Sequence, residues 1–131
     1  MKIKYLIDGI EKVKLNIVRP YVIFLKGDLG SGKTTFSKYI INSILGINEK
    51  VLSPTYTYYN KYNDVYHFDL YRLNNYDEFF AIGGEDIFDN NSGVIIVEWP
   101  EILESYYKPD LEIIFHKTTN DKERIIELRK T

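Results

Sequence analysis

Apolar residues recur along this chain in distinct rhythms. Tyr21–Leu25 and Val94–Val97 are continuous apolar runs. A strand covered on both faces reads this way, so both predict central parallel strands. Elsewhere the spacing is three or four. Ile10, Val13 and Ile17 predict a short amphipathic helix over Gly9–Val18, ended by Pro20. Phe36, Tyr39, Ile40, Ser43 and Ile44 share one face of a helix predicted over Thr34–Leu45, with Gly46 placed as its C-cap glycine. Asp77–Ile82 reads as a helix broken by Gly83-Gly84. Pro100–Tyr107 reads as a short helix with proline in its first position. Weaker patterns mark Lys2–Ile7 as an edge strand and Val65–Leu70 as a further strand. Val51-Leu52 is expected to start a short strand into Ser53-Pro54-Thr55, and Tyr56–Asn63 reads as strand or loop. Leu111–Phe115 and Arg124–Leu128 form a closing strand pair around the polar Lys117–Lys122 turn.

Strands and helices alternate through the middle of the chain, and strands close it. That order predicts an α/β fold in three layers, with a mostly parallel central sheet and a C-terminal antiparallel strand pair. The 131 residues suit one domain spanning 1–131, and no repeat or linker divides them. With 44% hydrophobic residues the chain is expected to fold rather than stay disordered. There is no cysteine, which excludes disulfides, thiolate metal sites and a cysteine nucleophile. A formal net charge of −2 argues against a broad, sequence-independent grip on nucleic acid, while leaving contact with RNA through a partner open. The Met1 segment lacks the long apolar run of a signal peptide or membrane span, so the cytoplasm is the expected compartment.

Gly27-Asp28-Leu29-Gly30-Ser31-Gly32-Lys33-Thr34 matches G-x-x-x-x-G-K-[ST] without a gap. An apolar strand precedes it and a helix follows, which is the context this motif requires. Glycines let successive backbone N–H groups turn toward one anion, and the helix N-terminus adds partial positive charge. Lys33 is expected to reach the β- and γ-phosphates, and the Thr34 hydroxyl to ligate Mg²⁺. The fold class is therefore read as P-loop NTPase-like. The nucleotide-binding set is Asp28, Leu29, Gly30, Ser31, Gly32, Lys33, Thr34 and Thr35, with Trp99 near it. Glu98 ends the stronger apolar strand and is the expected metal carboxylate, with glutamate where many such proteins carry aspartate. Asp69, near the end of Val65–Leu70, is expected to position or activate the attacking water. Ser53-Pro54-Thr55 lies where switch loops bring a threonine to the γ-phosphate. His67 and His116 lack metal-ligand spacing and are read as structural.

Three kinds of P-loop protein remain in play. A GTPase needs Asn-Lys-x-Asp, and Asn60-Lys61-Tyr62-Asn63 ends in the wrong residue and lies too early, so ATP is the expected nucleotide. A small-molecule kinase usually has an arginine-bearing lid. Only Arg19, Arg72, Arg124 and Arg129 are present, and no insertion is long enough for a lid. The third kind is an ATPase acting on partner proteins. The segments GDLGSGKTTFSK (Gly27–Lys38), SPTYTY (Ser53–Tyr58), HFDLYRL (His67–Leu73), IGGEDIF (Ile82–Phe88) and EWP (Glu98–Pro100) follow one another in the order and approximate spacing of one family. Over about residues 20 to 116 the chain resembles TsaE (also called YjeE or YdiB), the bacterial ATPase required to make N6-threonylcarbamoyladenosine in tRNA.

The resemblance implies binding of ATP and Mg²⁺. It implies association with the TsaB–TsaD complex, which transfers threonylcarbamoyl to the adenosine at position 37 of tRNAs reading ANN codons. ATP hydrolysis would reset that complex between turnovers, and tRNA would be met only through it. By the family motif Lys33 and Thr34 bind phosphate and metal, Thr55 is the switch threonine, Asp69 a catalytic carboxylate, Glu98 a metal holder, and Trp99 lies beside the nucleotide. The family's Ser/Thr and Glu-Thr pattern has no clear version in Met1–Val18, which leaves the adenine side unassigned. With few arginines, the isolated chain is expected to hydrolyse ATP slowly, since an arginine finger is worth about 10³–10⁵ in rate. The tyrosines between Tyr56 and Tyr76 are read either as packing or as an aromatic face against TsaD or TsaB.

Overall fold

The computed structural model describes residues 1–131. Seven strands form one mixed sheet: β1 (Lys2–Leu6), β2 (Tyr21–Lys26), β3 (Tyr59–Tyr62), β4 (Val65–Asp69), β5 (Val94–Glu98), β6 (Leu111–His116) and β7 (Glu123–Lys130). Their order is β1-β7-β6-β2-β5-β4-β3. The central four, β6-β2-β5-β4, run parallel. The flanking pairs β1–β7, β6–β7 and β3–β4 are antiparallel. The α/β class stands, with the parallel part confined to the middle of the sheet.

Alternation along the central strands builds the layers. Ile23 and Leu25 of β2, with Val94 and Ile96 of β5, join one core that includes Phe36, Ile40 and Ile41. Phe24 of β2, with Ile95 and Val97 of β5, joins a second core with Phe68, Phe79 and Leu103. Both faces are dry, which is why these strands read as unbroken apolar runs. The first face is covered by α1 (Lys33–Tyr39), which continues as a π-helical turn over Ile40–Ile44. The second carries α2 (Tyr76–Ala81) and α3 (Gly84–Asp89). Asn75 caps α2 by accepting a hydrogen bond from Glu78 N at 3.0 Å.

Several expectations are revised. The helix expected over Gly9–Val18 is a 3₁₀ segment at Ile7–Lys12, since Val13 turns to extended backbone and buries itself in the core. No strand forms at Val51-Leu52. The Leu52 backbone is instead held by side chains: its N–H donates to Tyr62 Oη at 2.9 Å, and its carbonyl accepts from Asn60 Nδ2 at 3.3 Å. The buried stripe of α1 and the turn after it is Phe36, Ser37, Ile40 and Ile41, because Ser43 faces solvent. The break at Gly83-Gly84 stands, since α2 ends at Ala81, but a further helix begins there. Gly83 takes a left-handed φ of 88° and starts α3, while a Cβ on Gly84 would lie 2.4 Å from the Phe79 ring. The Pro100 helix is a short 3₁₀ turn, Pro100–Leu103. Of the tyrosines between Tyr56 and Tyr76, Tyr62 is buried and Tyr59 stacks on Phe68 at 5.2 Å, so part of that group is packing.

On β7, Arg129 Nε donates to Glu127 at 2.6 Å, and His116 Nε2 from β6 lies 2.9 Å from its other carboxylate oxygen. These contacts, with Arg129 foremost, pull the Glu127 pKa from 4.5 to about 2. A depressed carboxylate contributes stability above its unfolded pKa and loses it as pH falls through the folded one. Wild-type protein should therefore exceed Glu127→Gln in urea midpoint near neutral pH. That advantage should shrink between 4.5 and about 2. A difference independent of pH across that window would refute the pairing.

Candidate nucleotide site

The Gly27–Thr34 loop joins β2 to α1. Its shape depends on glycine at two points. Gly32 has φ 103° as the residue capping α1, a value that strains any L side chain. A Cβ on Gly27 would lie 2.8 Å from both Phe115 Cβ and Ser31 Oγ. Lys33 begins α1 and folds back over the loop. Its Nζ donates to the carbonyls of Gly27 at 2.5 Å and Asp28 at 2.8 Å. The same ammonium sits 4.1 Å from the centre of the Trp99 ring, a cation–π contact. Burial pushes the Lys33 pKa down, against the opposing pull of Glu98, Glu101, Asp69 and Asp28. A buried cation, with its donors on backbone carbonyls, is ready to exchange them for an anion.

Strand register assembles the acidic side. Asp69 and Glu98 are register partners on the parallel pair β4–β5. Val65, His67 and Asp69 of β4 alternate onto the α1 face, as do Val94, Ile96 and Glu98 of β5. Glu98 is only 2% exposed. Its Oε1 accepts from Thr34 Oγ1 at 2.8 Å. Its Oε2 accepts from Ser37 Oγ at 3.3 Å and lies 2.6 Å from His67 Nε2. Asp69 accepts from Thr55 Oγ1 at 3.2 Å and from the Tyr71 backbone N–H at 3.0 Å. Ser53 and Thr55 hydroxyls lie 2.8 Å apart, which ties that loop to the same place. Trp99 follows with φ 58°, a left-handed backbone costing about 1–2 kcal/mol, and its ring packs on Tyr71 at 4.8 Å.

These groups enclose an open cavity of about 320 Å³. It gathers residues 29–35 with Thr55, Asp69, Glu98 and Trp99, which lie between 20 and 70 residues further along the chain. Asp28 lies outside it. It lines the neighbouring cavity of about 280 Å³, and its carboxylate pairs with Lys117 at 3.2 Å. Oxygen donors dominate the acidic end, a set suited to a hard cation. No cluster of three or more acidic, histidine or cysteine side chains is present. Mg²⁺ is usually held by one or two carboxylates, substrate phosphates and water. Thr34 Oγ1 and Glu98 Oε1 fit that pattern.

Two site residues escaped the sequence reading. His67, read as structural, is fully buried against Glu98. Its only signal was its place two residues before Asp69, hence on the same strand face. Arg124 comes from β7 and lines the cavity, with its Nε 3.2 Å from where a Gly32 Cβ would stand. Nothing local marks it, because sheet order alone brings β7 near the loop. Arg72, the arginine nearest a site residue in sequence, instead packs on the Tyr56 ring at 4.3 Å.

Comparison with known proteins points one way. The family model described as "Threonylcarbamoyl adenosine biosynthesis protein TsaE" matches residues 5–126. The tRNA threonylcarbamoyladenosine biosynthesis protein TsaE of Rickettsia typhi is 32% identical over 113 residues, covering 83% of this chain and 77% of that protein. The protein of the same name from Bacillus subtilis is 40% identical over 109 residues, covering 80% and 66%. The crystal structure of Bacillus subtilis YdiB superposes with a TM-score of 0.61 at 30% identity, covering 96% of this chain and 83% of that one.

Proposed function

Because this chain belongs to the TsaE family, whose model spans nearly all of it, we propose that it is the ATP-binding and hydrolysing component of the bacterial machinery that makes N6-threonylcarbamoyladenosine in tRNA. In this reading it acts as one domain on the TsaB–TsaD complex between turnovers and meets tRNA only through that complex. Such a role belongs in the cytoplasm, and no helix of the chain is long and apolar enough to cross a membrane.

The observation that carries the reading is the convergence of Lys33, Thr34, Thr55, Asp69 and Glu98 on one cavity beside the glycine loop. Backbone N–H groups of residues 30–35 would bind the phosphates of ATP, with Lys33 exchanging its carbonyl partners for phosphate oxygens. Thr34 and Glu98 would hold Mg²⁺, which when bound neutralises charge developing on the transferred phosphoryl group. Asp69 accepts a proton or a hydrogen bond from the attacking water, and Thr55, already bonded to it, fixes its direction. Arg124 adds a positive charge from β7 at the nucleotide's edge. Trp99 sits close enough to Lys33 to report nucleotide entry by fluorescence.

The test is Mg²⁺-dependent ATP hydrolysis by the chain alone and with TsaB, TsaD and tRNA added. The expected result is slow turnover alone and a rise with the partners. Activity indifferent to them, or raised instead by a small metabolite acceptor, would refute the role and favour a small-molecule kinase.

A further inference from the structure

We propose that His67 is a positioning residue that aims the Glu98 carboxylate at Thr34, so that one oxygen from each side chain faces a divalent cation as a preset pair. The inference rests on the nucleotide–magnesium reading and concerns how the metal end of that site is held. Glu98 is the last residue of β5. Its long side chain loses up to about 2 kcal/mol of rotamer freedom when fixed. At 2% exposure it has little water to solvate the carboxylate, so protein donors must do so. Oε2 receives them: His67 Nε2 at 2.6 Å, the length of a charge-assisted bond, and Ser37 Oγ at a longer 3.3 Å. Thr34 takes Oε1. The donors are divided so that His67 and Ser37 hold Oε2 while Oε1 meets Thr34, and both Thr34 and Glu98 line the cavity.

The ring's two nitrogens have different surroundings. Nδ1 is buried without a partner. Nε2 faces a carboxylate oxygen, which accepts only, so Nε2 is the donating nitrogen. The hydrogen-bond arrangement therefore assigns the proton to Nε2. Held by that donor at Oε2, Glu98 keeps its other oxygen toward Thr34. The ring is 0% exposed and rides on β4, which is paired on both sides, so the anchor is rigid.

Calorimetric titration of ADP, with and without Mg²⁺, tests this on wild type, His67→Phe and His67→Gln. His67→Phe fills the space and removes the donor. The Mg²⁺ concentration that half-saturates its effect on ADP affinity should rise about tenfold, the usual scale for losing a partner of a metal ligand. ADP affinity without metal should stay within about twofold, and His67→Gln, which keeps a donor, should recover most of the loss. An unchanged half-saturation in His67→Phe, or equal loss in both variants, overturns the inference. A readout on the unaltered protein stands beside it. In ¹⁵N spectra of wild type, His67 Nε2 should resonate as N–H and move when Mg²⁺ joins bound ADP. An Nε2 that carries no proton, or one indifferent to Mg²⁺, overturns the inference even if the variants fail to fold. Wild type whose ADP binding ignores Mg²⁺ would instead remove the nucleotide–magnesium reading itself.

Discussion

Lys33→Ala is expected to lower ATP turnover, measured with the partner proteins present, by about 10²–10³-fold, the usual cost of deleting one donor to a charged transition state. The variant should nevertheless unfold at the same temperature as wild type, or higher, when no nucleotide is present. The reason lies in the burial of the Lys33 ammonium. Burial lowers the Lys33 pKa, so folding at neutral pH works against the charged ammonium, and that penalty is relieved only as pH rises through its folded pKa toward the unfolded value. Alanine removes the penalty together with the carbonyl contacts that partly offset it. Calorimetry of both proteins, with and without Mg·ATP, separates the two effects. Wild type should gain unfolding temperature on adding nucleotide, and the variant should not. A variant that loses stability when empty, or still turns over ATP at the wild-type rate, would show that Lys33 serves the fold rather than phosphate.

Gly93→Ala should cost about 3 kcal/mol or more, at the upper end of what a single overpacked position loses. On the size of this chain that corresponds to a fall of roughly 10 °C in Tm. A Cβ at Gly93 would stand 1.9 Å from the Asp64 carbonyl oxygen, and backbone cannot yield as a flexible side chain does. The same carbonyl accepts the Val94 N–H at 3.1 Å, and the Gly93 carbonyl accepts the Tyr21 N–H at 2.9 Å. Asp64 is further tied by Arg19, whose guanidinium bonds both carboxylate oxygens at 2.6 and 3.2 Å. The loss should appear in thermal unfolding, with ADP affinity at low temperature nearly unchanged, since Gly93 lies at the opposite end of β5 from Glu98. A Tm within a degree or two of wild type would show that the β3–β4 turn moves aside freely.

Local chemistry carried much of this protein. The two continuous apolar runs became β2 and β5, because a strand dry on both faces leaves no polar positions to show. Gly27–Thr34 was legible because phosphate-binding loops need glycine at set offsets, and those offsets lie within one short segment. Glu98 was legible as the residue ending the stronger strand, and Asp69 as its counterpart near the end of another.

Tertiary structure decided what depends on strand order and register. Placing β4 next to β5 is what sets Asp69 beside Glu98 and turns His67 from a buried strand residue into the carboxylate's anchor. Bringing β7 round the edge of the sheet delivers Arg124 to a loop that precedes it by 90 residues or more. It also determined that Gly93 must be glycine, because the obstacle is a carbonyl from another turn. The physical reason is common to all three. Hydrophobic periodicity and loop chemistry act between neighbours along the chain, whereas a side chain's partners across a sheet are set only when the strands pair.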